Sequence, residues 1–200
     1  MKIIIYSAFV ILAAISGTPF IFPTQAGTPT LTLTVTSQIT MGTCTAELLD
    51  DNGNTTNIIA FGNIYISELE AKSKIKSFKL RFTNCEGIPK RQAKVTLAPR
   101  GTACAATNSA AFANNIPDTA NKAQHTAVEI WTTRTPEGND SVQLQCFNPN
   151  TQLVDISAAN GQQYVEYILS ARMVVEPGQS SSAVTTGDFT SPATFTITYE

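Results

Sequence analysis

The sequence predicts an all-β fold, a sandwich or barrel of seven or eight short strands. Three observations carry this expectation. Leu31, Leu33 and Val35 alternate with Thr32, Thr34 and Thr36, the period-two pattern of a strand with one buried face. Turn formers recur at short intervals, as in Asp51-Asn52-Gly53-Asn54, Glu86-Gly87-Ile88-Pro89, Pro136-Glu137-Gly138-Asn139 and Pro177-Gly178. No segment repeats apolar residues at helical spacing with comparable clarity.

In chain order, the first segment reads as a secretory leader. Lys2 supplies a small positive start, residues 3–15 are almost wholly apolar, and Gly17 and Pro19 precede small residues at Thr24 and Ala26. Cleavage is expected after Ala26. A membrane anchor is the competing reading, but Ser16, Gly17, Thr18 and Pro19 interrupt the run before it reaches the roughly 18 to 20 apolar residues a bilayer requires. Removing residues 1–26 takes away Lys2 and no acidic residue, so the formal net charge moves from −2 to about −3. With few charges and no basic patch, the chain is not expected to bind nucleic acid.

The alternating segment at residues 30–41 reads as a strand ahead of the eight that follow. Leu31, Leu33, Val35 and Ile39 share one face with Ser37 between them, and the threonines share the other. Next come expected strands at 46–49 and 58–61, then a segment from Ile75 in which Phe78, Leu80 and Phe82 alternate with Ser77, Lys79 and Arg81 and which ends at Asn84-Cys85. Further strands are expected at 93–98, 127–132, 142–146, 164–175 and 193–199. Residues 101–124, rich in Ala and Asn, read as a long loop with at most a helical turn, pinned by Cys104. Residues 178–187, with Ser180, Ser181 and Ser182, read as a flexible connection into the last strand. Trp131 is expected in the core or lining a groove, and His125 in a loop.

Cys44, Cys85, Cys104 and Cys146 all follow the leader, and export places them where thiols are oxidised. Two disulfides are expected, and spacing alone leaves all three pairings open. A zinc site would cluster Cys and His at short spacings, whereas this chain has no CxxC and one histidine. Nothing calls for a cofactor. An enzyme is equally hard to assemble: there is no GxSxG elbow and no phosphate-binding glycine loop. Asp50, Asp51, Glu68, Glu70, Asp118, Glu129, Glu137 and Asp140 are scattered and read as solvated surface charge rather than a carboxylate pair for glycoside hydrolysis.

The closing residues, Ala193-Thr194-Phe195-Thr196-Ile197-Thr198-Tyr199-Glu200, resemble the last strand of chaperone–usher fimbrial subunits of the type 1 pilin-like family. The order of other features is also similar: an alternating strand after the leader, Cys44, Phe61-Gly62, Phe78-Lys79-Leu80-Arg81-Phe82-Thr83-Asn84-Cys85, and Leu169-Ser170-Ala171-Arg172-Met173. The resemblance spans nearly the whole exported chain. It implies an incomplete immunoglobulin-like β-sandwich lacking its last strand, with residues 1–26 as signal peptide, 27–42 as an N-terminal donor-strand extension and 43–200 as the pilin domain.

The resemblance further implies a bond between Cys44 and Cys85, and closing a loop of that length contributes on the order of 4 kcal/mol in the chain-entropy model. The other pair, Cys104 with Cys146, departs from the simplest major pilins and would brace the Ala/Asn-rich loop. Leu31, Leu33, Val35, Ser37 and Ile39 would be donor-strand anchors, Ser37 standing where many such strands carry glycine. Phe195, Ile197 and Tyr199 would face both the groove and a periplasmic chaperone that lends the missing strand and docks the chain's end. An outer-membrane usher and neighbouring fimbrial subunits complete the implied partners, and a surface fimbria supporting adhesion is the implied destination. The alternative is a one-domain adhesin near the fibre tip, using a loop in residues 101–124 to hold a host glycan or surface receptor.

Overall fold

The computed structural model describes residues 36–38, 42–101 and 104–200. Leu31, Leu33, Val35 and Ile39 lie outside the described residues, as does the expected leader. Ser37 is described, exposed and in no strand. Contacts within the chain separate Met1–Gln38 from Ile39–Glu200, and the described strands all fall in the latter.

Those strands are β1 (Thr43–Asp50), β2 (Ile75–Glu86), β3 (Gln92–Pro99), β4 (Phe112–Ala113), β5 (Thr126–Trp131), β6 (Gln143–Leu144), β7 (Thr151–Asp155), β8 (Tyr164–Val175) and β9 (Ala193–Tyr199). One sheet runs β1-β2-β8-β5-β4, with β6 also on β5, and the other runs β7-β3-β9. Every strand pairing within them is antiparallel. The all-β sandwich expected from the alternation is therefore the observed architecture.

Alternation sets which side chains fill the space between the sheets. Phe78, Leu80 and Phe82 of β2 point inward with Leu169, Ala171 and Met173 of β8, and Ala93, Val95 and Leu97 of β3 meet them from the second sheet. Phe82, Leu144, Leu169 and Val95 are fully buried, each large side chain adding about 1.5 to 3 kcal/mol of transfer free energy. Cys44 and Cys85 are bonded, joining β1 to the end of β2. Beside them the backbone of Gly42 packs on the Gly87 turn so closely that a Cβ would lie 2.3 Å from the Gly87 carbonyl oxygen. Cys104 is bonded to Cys146, tying the long loop to the segment after β6.

Several elements differ from expectation. Residues 58–61 form no strand; they run irregularly along the open side of the sandwich. A short helix, α1 (Ile66–Glu70), follows them; at its start Tyr65 N–H donates to the Glu68 carboxylate at 2.8 Å and Glu68 N–H donates to the Tyr65 carbonyl at 2.9 Å. In β7 the inward positions are Gln152 and Val154 while Leu153 is exposed, so one apolar residue faces each way and the alternation is blurred. The 178–187 connection carries a 3-10 turn (Ser181–Ala183) and buries Val184 in the core. The loop at 101–124 contains β4 and no helical turn among its described residues.

Trp131 is buried but outside the main core, and it does not line the open side of the sandwich. It pairs with Ser170 on the outer face of the larger sheet, where its Nε1 donates to Glu129 at 3.1 Å and the Arg172 guanidinium lies 5.3 Å from its ring. Glu129, read as solvated charge, is buried there with Arg172, whose Nε donates to it at 2.9 Å. The ion pair is what makes both charges tolerable without water.

Candidate functional site

The second sheet ends at β9, whose only strand partner among the described residues is β3. Along its free edge lies a furrow of about 1460 Å³. Its floor is apolar and comes from both sheets: Phe78, Val128, Met173, Leu97 and Phe112 line it, with Phe195 at the edge itself. Phe78 and Phe195 face each other across the sandwich, ring centroids 6.5 Å apart.

Two irregular walls flank this floor. One is residues 57–66, which place Ile59, Phe61, Ile64 and Ile66 against the core while leaving Ile58 at 69% and Tyr65 at 73% exposure. The other is residues 184–192, held to the 114–124 loop by Asn114. This side chain is buried and fully bonded: its Nδ2 donates to the carbonyls of Ala123 (3.0 Å) and Asp188 (2.8 Å), and its Oδ1 accepts from Ile116 and Thr190 N–H (both 3.1 Å). Four backbone groups of two loops are thus satisfied by one amide, which lets irregular chain lie against an apolar floor.

Among the expected site residues, Phe195 lines the furrow. Ile197 and Tyr199 point the same way from β9, are half-buried and pack on the core beyond the furrow's lining. The Tyr199 hydroxyl donates to the Cys44 carbonyl at 3.4 Å, and burial raises its pKa above the ordinary phenol value. The sandwich is therefore drawn together at the Cys44–Cys85 end and open at the start of β9. Thr194, Thr196 and Thr198 face solvent on the opposite side.

Among the described residues the charged ones lining the furrow are Arg100 and Asp188, and the ion pairs of Glu166 and Glu200 lie away from it. Glu166 sits on the outer face between Lys79 (2.7 Å) and Arg81 (2.7 Å), whose hydrogen bonds hold its carboxyl below the usual range. Glu200 is bonded by Lys94 and Lys90, with the same effect. Tyr167, half-buried within the sandwich, has its phenol pushed up to about 12 by burial. No group of three or more His, Cys, Asp or Glu placed to hold a metal occurs among the described residues. A long apolar channel beside an unpaired strand edge can bind an extended polypeptide: the ladder supplies main-chain bonds, and the floor receives alternate side chains.

The wall at 57–66 and the Asn114 fastener were not anticipated from sequence. The first has a legible signal, since Ile58, Ile59, Phe61, Ile64 and Ile66 are dense in apolar residues yet fit neither strand nor helix periodicity over their length. The second has none, because a lone asparagine in a loop looks the same whether solvated or buried.

Comparison with known proteins places the chain as follows. A family model described as "Fimbrial protein" matches residues 31–200. The fimbrial-like protein YadL of Escherichia coli strain K12 is 43% identical over 194 residues, covering 96% of this chain and 94% of YadL. Among solved structures, the P pilus rod subunit PapA is similar at 16% identity and a TM-score of 0.49, over 72% of this chain and 93% of PapA. The CupB6 tip adhesin from Pseudomonas aeruginosa is similar at 11% identity and a TM-score of 0.45, over 62% of this chain and 30% of the adhesin.

Proposed function

From the premise that this chain belongs to the fimbrial protein family, we propose that it is a structural, non-catalytic subunit of a surface fimbria assembled by donor-strand exchange. The single observation that supports this reading is the apolar furrow of about 1460 Å³ along the free edge of β9. An exposed apolar cleft beside an unpaired edge invites aggregation unless another strand fills it.

The donor is residues 30–41 of a neighbouring subunit, with Leu31, Leu33, Val35 and Ile39 entering the furrow and Ser37 passing between them. Four large aliphatics contribute roughly 6 to 12 kcal/mol before ordering costs. A slip of one residue would turn all four away, so the register is strict. Each subunit accepts one strand and gives one, a head-to-tail contact that does not close and therefore builds a fibre.

Residues 1–26 serve as the export signal, 27–42 as the donor extension and 43–200 as the accepting body. Before polymerisation a periplasmic chaperone occupies the furrow and reads Phe195, Ile197 and Tyr199. An outer-membrane usher then exchanges it for the next subunit's extension, and the finished fibre supports adhesion at the cell surface. Deleting residues 30–41 tests this. The shortened chain should still co-purify with the chaperone yet leave fibres ending wherever it is incorporated; polymers of normal length built from it would overturn the proposal.

A further inference from the structure

The chain contains two Asn-Gly dipeptides, Asn52-Gly53 and Asn160-Gly161. In such a pair the following backbone nitrogen can approach the asparagine side-chain carbonyl carbon, because glycine has no Cβ to restrict its conformation. Whether it does so depends on what holds the glycine N–H and on the local charge, and the two sites differ in both.

At the first site the turn is closed around Asp50. Gly53 N–H donates to the Asp50 carbonyl at 3.1 Å, and Asn54 N–H donates to the Asp50 carboxylate at 2.8 Å. Bonds from the Asn54 side chain above all, then from the backbone of Asn54, Asn52 and Gly53, keep that carboxyl ionised below its ordinary range. The nucleophilic nitrogen is thus tied down, and the adjacent negative charge opposes loss of its proton.

The second site lies in the β7–β8 connection. Both glycines have open space where a Cβ would stand, but among the described residues Gly161 N–H, unlike that of Gly53, donates to no acceptor. Asn160 is exposed and lines a polar cavity of about 390 Å³ with Ser157 and Arg91. Arg91 on that cavity faces the Asp155 carboxylate, which accepts from Ser157 N–H at 2.8 Å, so the two charges offset each other and no lone negative charge opposes loss of the Gly161 proton. Two exposed bonds are given up, from Asn160 Nδ2 to the Ser157 carbonyl (3.1 Å) and from Gln163 N–H to the Asn160 carbonyl (2.9 Å), but neither holds the attacking nitrogen.

We infer that Asn160 is a site of spontaneous modification by water, proceeding through a cyclic imide to aspartate and isoaspartate, whereas Asn52 is protected by its turn. Gly161 N–H gives up its proton to solvent base, and its nitrogen bonds to Asn160 Cγ. The Cγ–Nδ2 bond breaks, Nδ2 regains a proton, and ammonia leaves. Water then adds to either imide carbonyl, opening the ring to the α- or β-linked acid. The product carries one more negative charge beside Arg91, and the β-linked form adds a methylene to the backbone ahead of β8.

The test is incubation of the full exported chain at mildly alkaline pH, native in its strand-filled, assembled form and in parallel unfolded with its disulfides reduced, followed by peptide mass mapping that separates the two acid products. In the native chain Asn160 should convert about tenfold faster than Asn52, the factor that one retained hydrogen bond of ordinary net strength supplies. In the unfolded chain the two rates should converge, since only the shared dipeptide remains. Equal native rates, faster conversion at Asn52, or the same ratio in folded and unfolded chains would overturn the assignment.

Discussion

The two faces of the larger sheet are treated in opposite ways. On its outer face the chain covers itself. The 132–142 connection is fastened by Ser170 Oγ donating to the Thr133 carbonyl (2.6 Å), by Arg134 with Asp51 (3.0 Å) and by Arg172 with Glu137 (2.7 Å). Farther along, Ala105 and Ala111 of the loop held by Cys104–Cys146 pack on Ala127 and Val174. On the inner face, beside β9, the apolar floor is left uncovered by any described strand. The contrast teaches that the furrow is not a general shortage of chain: loops long enough to cover a sheet exist, and they are used on the other side.

The largest effect should come from charging the furrow itself. Phe195→Asp places a carboxylate on the apolar edge of β9 and should abolish fibre formation, whereas Thr196→Asp on the solvent side should leave it intact; fibre yield by electron microscopy compares them. Next is the outer face. Arg172→Met strands the buried Glu129 carboxylate and should cost about 3 to 5 kcal/mol in urea unfolding of the strand-filled subunit, most of it regained in the Arg172→Met, Glu129→Leu double variant. Asn114→Ala leaves buried backbone groups of both furrow loops unpaired and should cost about 2 to 3 kcal/mol by the same measurement, with weaker chaperone capture as the sign that the wall has moved.

The smallest effect is electrostatic. Glu166 has a folded pKa below its unfolded value, so its ionised form adds stability above the unfolded pKa, and that increment is lost as pH falls through the folded one. Glu166→Gln should therefore cost about 1 kcal/mol near neutrality, with the gap closing in strongly acid solution. A gap that widens on acidification would contradict the sign.

Much of this contrast was legible in the sequence where a strand has one buried face. β8 and β9 fall on residues 164–175 and 193–199 as the alternation indicates, and β2 extends only slightly past Asn84-Cys85. Legibility fails where apolar residues do something other than fill the core. Ile58 and Phe61 read as strand because they are apolar, but their role is to wall a channel, which imposes no period. β7 does not stand out because Leu153 and Val154, adjacent and both apolar, face opposite ways and blur the alternation. Trp131 and Glu129 were misplaced because a charged pair under a loop is set by a distant partner, Arg172, that no local window contains. Of the candidate site, the edge strand was readable from β9, while the walls and the Asn114 fastener depend on contacts remote in sequence.

The most direct measurement is thermal unfolding of the chain lacking residues 30–41, alone and with a synthetic peptide of those residues added in excess. The account predicts a marginal or aggregating body that gains a sharp, strongly raised transition with the peptide and none with a peptide carrying Leu33→Asp. A body that unfolds cooperatively at the same temperature with and without the peptide would contradict it.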